Sequence, residues 1–171
     1  LPYSQNETPA KMDPAEFTKQ SISVPAGVGS AVGASDADAL VGAFALLLGR
    51  LSRKHEFDLA FKTASLAQAS VSVPGVYNPY SVLHVGFELS ASAKSVVEGA
   101  VAAIGQVSEK GVWAKDLIGR TPQLAAIPEL VSETALPLAV NVGEDVAIPG
   151  STLTLAISED DLHELRDLRR V

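Results

Sequence analysis

The chain has 171 residues, of which 47% are hydrophobic and 5% are aromatic, so it can bury one core built mainly from leucine, valine and alanine. A formal net charge of −7 argues against a nucleic-acid partner, because phosphate contacts need clustered lysine and arginine. The absence of cysteine excludes disulfides, zinc–thiolate sites and thiol catalysis. The longest apolar run, residues 39–49, is shorter than the ~20 residues that cross a bilayer, so we expect no membrane partner. Because the lack of cysteine gives no sign of an oxidising compartment, we expect a cytoplasmic location.

The N-terminal residues 1–16 are predicted to be an extended lead-in or linker, because they carry three prolines and few hydrophobic side chains. They are polar and do not begin with methionine, so we expect the chain to be a processed, trimmed or excised part of something longer. Residues 17–171 are expected to form a single domain. Its first predicted strand covers about residues 19–24.

The clearest local pattern is a capped apolar helix that runs directly into a strand. Ser35 is predicted to cap the helix, and Arg50, Arg53 and Lys54 are placed at its end, where the helix dipole favours positive charge. The expected buried face has apolar side chains at helical spacing, namely Leu40, Phe44, Leu47, Leu48 and Leu51. Alternation over residues 57–62 then predicts a half-buried strand.

The middle of the chain is predicted to contain a loop, a strand and two helices. Residues 64–80 are small, polar and punctuated by proline and glycine, which indicates a loop with room for a short helical turn. Residues 82–89 alternate as a strand with one buried face. Ser92 is predicted to cap a helix that ends near Gly111, and a short amphipathic helix is expected over residues 112–118.

The last third is predicted to contain two strands and a terminal helix. Leu136, Leu138 and Val140 alternate in the first of these strands, and Pro137 within it indicates either an edge position in the sheet or the start of the strand. The second strand is predicted over residues 153–157. Ser158 is expected to cap the final helix, whose narrow apolar stripe either docks on the sheet or faces a neighbouring domain. That stripe consists of Leu162, Leu165 and Leu168.

The order of predicted elements is strand, helix, two strands, two helices, two strands and helix. This order indicates an α/β (α+β) domain with an open mixed sheet and helices packed on it.

Residue types that carry chemistry are sparse. The three histidines, His55, His84 and His163, stand apart in the sequence, and no partner that would orient a catalytic base is evident for any of them. The glycines of residues 27–33 have the spacing GxGxxxG, a poor match to a dinucleotide-binding turn, so we interpret them as a flexible surface loop. We predict no catalytic residue, no cofactor site and no metal site in this chain.

A family resemblance is carried by the apolar helix ending in LLGRL and the strand that follows it. This unit resembles the start of the second lobe of nonribosomal peptide synthetase condensation domains, and most closely the shortened condensation-like segment of fungal alpha-aminoadipate reductases. Residues 17–20 (FTKQ) before the first predicted strand and residues 120–124 (RTPQL) add to the likeness. The resemblance implies half of a condensation domain, a lobe similar to chloramphenicol acetyltransferase.

The resemblance also implies that this lobe is not catalytic. Condensation domains place a His-His-x-x-x-Asp-Gly motif in the preceding lobe, and this chain has none. The chain would pack beside an adenylation domain, and its parent would activate a carboxylic acid with ATP, carry it on phosphopantetheine and reduce it with NADPH, as in lysine biosynthesis. The expected interdomain interface consists of Leu162, Leu165, Leu168, Trp113, Leu136 and Leu138.

Two other functions stay open. The chain could be a stand-alone docking module for an acidic carrier protein, and Arg50, Arg53 and Lys54 come nearest to the basic patch that this role requires. It could also be half of an acyltransferase completed by a partner chain, with His84 as its base. The sequence does not distinguish a reductase from a peptide synthetase as the parent.

Overall fold

A four-stranded mixed sheet with helices forms the centre of the computed structural model, which describes residues 19–72, 76–78, 80–114, 117–126, 136–148 and 150–158. In this part, the strands are β1 (Glu56–Thr63), β2 (Ser81–Gly86), β3 (Leu138–Val142) and β4 (Leu153–Ile157). The helices are α1 (Asp36–Ser52), α2 (Ala64–Ser72), α3 (Ala93–Lys110), α4 (Leu117–Arg120) and α5 (Pro122–Ala125). The predicted α/β class with an open mixed sheet is confirmed.

The strand order in the sheet is β2-β1-β3-β4. β1 is antiparallel to β2, with Leu59 opposite Leu83, and parallel to β3, which is parallel to β4. The chain between β1 and β3 passes through α2, β2 and α3, which is the long crossover that a parallel pair needs. β1 and β3 are therefore the inner strands, and β2 and β4 lie at the edges of the sheet.

Two apolar clusters lie on opposite faces of the sheet, because neighbouring residues of a strand point in opposite directions. The larger cluster joins the two long helices to one face, and the smaller one lies on the other face, where it includes Ile148 from the loop after β3. The buried members of the larger cluster are Val41, Ala45, Leu48, Leu59, Phe61, Leu66, Leu83, Val85, Ile104, Val140 and Ile157. Ala60, Ala139 and Ile148 form the smaller one.

The predicted ends of α1 and α3 are confirmed. The Ser35 hydroxyl accepts a hydrogen bond from the Asp38 amide at 3.1 Å, and Ser92 accepts one from the Ser95 amide at 3.2 Å. α1 ends where Arg53 adopts a left-handed φ of 55°, and α3 ends at Gly111.

The predicted buried face of α1 is partly wrong. Leu48 is buried as expected, but Leu47 is 54% exposed and Leu51 is 57% exposed. Small residues decide the outcome: Gly42 and Ala45 lie on the side of α1 that packs closely, so this side turns inward. The larger leucines at positions 47 and 51 are consequently left on the outside.

Two predictions near β1 are also wrong. Residues 19–24 form no strand, and Ile22 is 82% exposed, since this stretch has no partner strand in the described part of the chain. Residues 64–72 form the nine-residue helix α2, which is longer than the short helical turn expected within a loop over residues 64–80. Thr63 explains the second difference, because its hydroxyl accepts a hydrogen bond from the Leu66 amide at 3.2 Å and caps the helix.

The helix predicted over residues 112–118 does not form as expected. Residues 112–114 are extended, and the short helix α4 follows at residues 117–120. Ala114 forms an antiparallel bridge with Tyr77, and the Asn78 amide donates a hydrogen bond to the Trp113 carbonyl at 3.0 Å. These backbone pairings compete with helix formation. α4 therefore begins only at Leu117 and continues to Arg120, beyond the predicted range.

β3 begins directly after Pro137, so the strand-start alternative holds and β3 is not an edge strand. The predicted last strand is confirmed as β4. The final helix expected after Ser158 lies outside the described residues, as do the lead-in over residues 1–16 and the interface residues Leu162, Leu165 and Leu168. Within the described part, no helix is long and apolar enough to cross a membrane.

Candidate functional site

The described members of the expected interface occupy different surroundings. Leu138 packs against the larger apolar cluster, whereas Leu136 packs against the smaller one on the opposite face of the sheet. Trp113 is half-buried in the extended segment after α3. The structure therefore does not bring these three side chains onto one shared apolar surface, and their role as an interface stays a prediction.

A histidine and two carboxylates meet on the outer face of β1 and β2. His84 Nδ1 lies 2.8 Å from Asp58 Oδ1, and His84 Nε2 lies 3.3 Å from Glu56 Oε1. The strand register creates this cluster, because His84 stands directly opposite Asp58 in the antiparallel pair. The hydrogen bond to Asp58 is the main cause that raises the pKa of His84 above its ordinary value, with smaller contributions from the charges of Asp58 and Glu56.

This cluster supplies the orienting partner for His84 that the sequence did not reveal. The two residues are far apart in the chain, so only a correct prediction of the strand register would have found the pair. The His84 side chain is 60% exposed, and its second nitrogen also faces a carboxylate. The arrangement is that of a surface ion pair. His55 is exposed and lies outside it, and His163 lies outside the described residues.

A second polar cluster surrounds Asn141, whose side chain is 1% exposed. Its Nδ2 donates a hydrogen bond to the Val146 carbonyl at 2.9 Å and ties the loop after β3 to the sheet. Lys62 pairs with Glu144 of the same loop, and the hydrogen bond from Lys62 is the main cause that lowers the pKa of Glu144. These contacts fold the loop over the outer face of the sheet, where Ile148 is buried.

The glycine-rich segment forms an ordered turn. The backbone amides of Gly27 and Gly29 donate hydrogen bonds to the two carboxylate oxygens of Asp36, at 2.9 and 2.8 Å. Such amides, next to a helix N-terminus, are the groups that would bind a phosphate. The Asp36 side chain of the protein already occupies them here. The segment lies at the surface as predicted, and residues 29–32 form a short 3-10 helix within it.

The end of α1 carries the third group of functional interest. Arg50 and Arg53 are exposed, and Lys54 is half-buried. They lie beside the exposed Leu47 and Leu51. Among the described residues, no group of three or more histidine, aspartate and glutamate side chains is arranged to hold a metal ion.

No protein-family model matches the chain, and no curated protein matches it. Among solved structures, the chain is similar to the first condensation domain of the calcium-dependent antibiotic synthetase, determined in complex with a substrate analogue. The two share 17% sequence identity with a TM-score of 0.47, over 71% of this chain. The matched region spans only 27% of the length of that structure.

Proposed function

We propose that this chain is a non-catalytic, condensation-like lobe that serves as a structural platform beside an adenylation domain in an enzyme of the nonribosomal peptide synthetase type. The observation that supports this function is the helix–strand unit over residues 35–63. This unit carries the sequence resemblance, and it folds as α1 and β1 at the centre of the domain, with β1 paired on both sides.

The parent enzyme that we propose activates a carboxylic acid with ATP, carries it as a phosphopantetheine thioester and reduces it with NADPH. Alpha-aminoadipate, in fungal lysine biosynthesis, is the substrate that the resemblance favours. The lobe itself would bind none of these cofactors and would remain in the cytoplasm with its parent. A peptide synthetase whose first module begins with such a lobe is the other parent that we consider.

Packing in the described part supports a platform role. Inner-strand residues such as Leu59, Phe61 and Val140 are at most 1% exposed, so the sheet is closely packed. A closely packed sheet is rigid enough to support a neighbouring domain. The predicted contact with the adenylation domain is made by Leu162, Leu165 and Leu168. A row of leucines at this spacing presents one apolar stripe if the segment is helical.

The experiment replaces Leu162, Leu165 and Leu168 with serine in the full-length polypeptide. Chemical cross-linking and limited proteolysis then report whether the lobe still associates with the adenylation domain. A Leu89→Ser variant is the control, because Leu89 lies in the turn between β2 and α3, is 40% exposed and is outside the predicted contact. We expect association to be lost only in the triple variant, and unchanged association would contradict the proposed interface.

A docking module for an acidic carrier protein is the second candidate. The observation that favours it is the group of cations at the end of α1, beside Leu47 and Leu51. Half of an acyltransferase is the third candidate, and it rests on the hydrogen bond between His84 and Asp58. His84→Ala should abolish acyl transfer by the assembled enzyme if that third candidate is correct, and retained turnover would exclude it.

A further inference from the structure

The last turns of α1 present a mixed apolar and basic surface. Leu47, Arg50 and Leu51 are spaced i, i+3 and i+4, so they lie next to each other on one side of the helix. The two leucines are 54% and 57% exposed. Arg53 and Lys54 follow directly where the helix ends. These five residues are named the α1-end surface.

The cations of this surface have no carboxylate partner in the described part of the chain. The ion pairs found there use Lys19, Lys62, Lys94 and His84, and none uses a cation of the α1-end surface. The chain as a whole has a net charge of −7, because acidic side chains outnumber basic ones. The α1-end surface is therefore a local positive patch on an acidic protein.

The helix dipole does not explain the whole surface. It favours a cation in the last turn of a helix, and this would account for Arg50. It gives no reason for two leucines to remain exposed beside that cation. α3 shows the contrast: its last turn also ends in a cation, Lys110, but the exposed side chains around it are Gln106, Ser108 and Glu109.

We propose that the α1-end surface docks an acidic protein helix that presents apolar side chains on the same face as its carboxylates. Leu47 and Leu51 would bury apolar area against such a partner, and Arg50, Arg53 and Lys54 would meet its carboxylates. Such a partner would contact the two leucines and the three cations of the surface at the same time. The inference deepens the docking-module candidate by naming the chemistry of its partner. It does not depend on an adenylation domain as neighbour, because every residue that carries it lies in the described part of this chain.

Other occupants fit less well. A second copy joined by a two-fold axis would bring the same cations of each copy together, which is repulsive. Nucleic acid or an anionic membrane would meet three cations on a chain of net charge −7, and nucleic-acid phosphates would leave the two leucines without apolar contact. An acidic amphipathic helix avoids both mismatches.

The experiment uses the whole chain and a synthetic helical peptide of about 15 residues, a length at which an isolated helix becomes marginally stable. The peptide has leucines at helical spacing flanked by glutamates, and a matched peptide carries lysine in place of every glutamate. Fluorescence anisotropy of the labelled peptide measures binding at low and high salt. Two double variants of the chain are compared with the unaltered chain. One carries both Arg50→Glu and Lys54→Glu, and the other carries both Leu47→Ser and Leu51→Ser.

Matched controls carry the same chemical changes elsewhere. One control carries both Lys94→Glu and Lys110→Glu, which reverse the charge of two side chains at the ends of α3. The other carries both Leu89→Ser and Leu117→Ser, which replace two other exposed leucines. Circular dichroism confirms that each variant is folded. The altered side chains are largely exposed, so the fold should be retained.

We expect the acidic peptide to bind, the lysine peptide not to bind, and higher salt to weaken the complex. Each pair of test substitutions should weaken binding about tenfold or more, while both controls remain within about twofold of the unaltered chain. Equal binding of all variants, no binding of the acidic peptide, or a preference for the lysine peptide would overturn the proposal. The proposal would also be overturned if the chain self-associated, or bound vesicles of anionic phospholipid, and the double variant Leu47→Ser and Leu51→Ser abolished that association or binding.

Discussion

Gly42 of α1 and Val97 of α3 are in such close contact that a Cβ atom at position 42 would lie only 2.8 Å from the Cα atom of Val97. Side chains do not tolerate this separation from a backbone atom. The two long helices therefore approach each other at a position where α1 has no side chain. This contact fixes which face of α1 turns inward and leaves Leu47 and Leu51 outside.

Gly42→Ala should destabilise the protein by about 1–3 kcal/mol, because the added methyl group forces the helices apart. The gain in helix propensity, about 1 kcal/mol, offsets only part of this cost. Gly99→Ala is the control, since a Cβ atom at Gly99 would meet no atom within 4 Å. It should raise the free energy of unfolding by about 0.5–1 kcal/mol. Chemical denaturation measures both, and a Gly42→Ala variant as stable as Gly99→Ala would refute the close packing.

Ser92→Ala should lower the free energy of unfolding by about 1 kcal/mol, because the first turn of α3 loses the hydroxyl that accepts from the Ser95 amide. Ser108→Ala, near the other end of the same helix, removes an exposed hydroxyl without removing a cap. It should have little effect or a slightly stabilising one. Thermal unfolding of the two variants compares them directly, and equal destabilisation would show that the cap is unimportant.

His84 should make stability depend on pH. Its pKa in the folded protein is raised above the ordinary value of 6.5, so protonation favours the folded state. The contribution of His84 is fully present below pH 6.5 and is lost as the pH rises through the folded pKa. Because the side chain is 60% exposed, the contribution should stay below about 1 kcal/mol.

The measurement is the difference in unfolding free energy between the protein and its His84→Gln variant across this range. The difference should be largest at acid pH and should shrink as the pH increases. Asp58→Asn, in which His84 is intact, should remove most of the same pH dependence, since Asp58 supplies the main hydrogen bond. A difference that does not vary with pH would contradict the proposed ion pair.

Asn141→Ala should release the loop after β3. The lost hydrogen bond to the Val146 carbonyl is worth about 1 kcal/mol, and exposure of Ile148 would add to the cost. Amide hydrogen exchange should then become faster over residues 143–148 while α3 keeps its protection. Unchanged exchange in the loop would mean that the other contacts of this segment hold it without Asn141.

Features set by neighbouring residues were predictable from the sequence. Ser35 and Ser92 cap their helices and Gly111 ends α3, because each acts on a turn next to it in the chain. Pro137 likewise marks the start of β3. Features set by distant contacts were not predictable in the same way. The inward face of α1 depends on Val97, which is brought to Gly42 only by the packing of α3.

The candidate sites show the same division. The cations at the end of α1 were evident from the sequence, but the exposure of Leu47 and Leu51 beside them followed from helix packing. The pair of His84 and Asp58 depends on the register of β1 and β2. Thr63 caps α2 from the last position of a strand, where a helix signal is masked by the strand pattern.

The central proposal is that this lobe belongs to a larger adenylating enzyme and has no catalytic lobe of its own. The most direct test is to sequence the transcript on both sides of the region that encodes this chain. We predict an open reading frame that continues from Val171 into an adenylation domain, with no His-His-x-x-x-Asp-Gly lobe encoded before it. A stop codon directly after Val171 would contradict the platform role and favour the docking module or the acyltransferase.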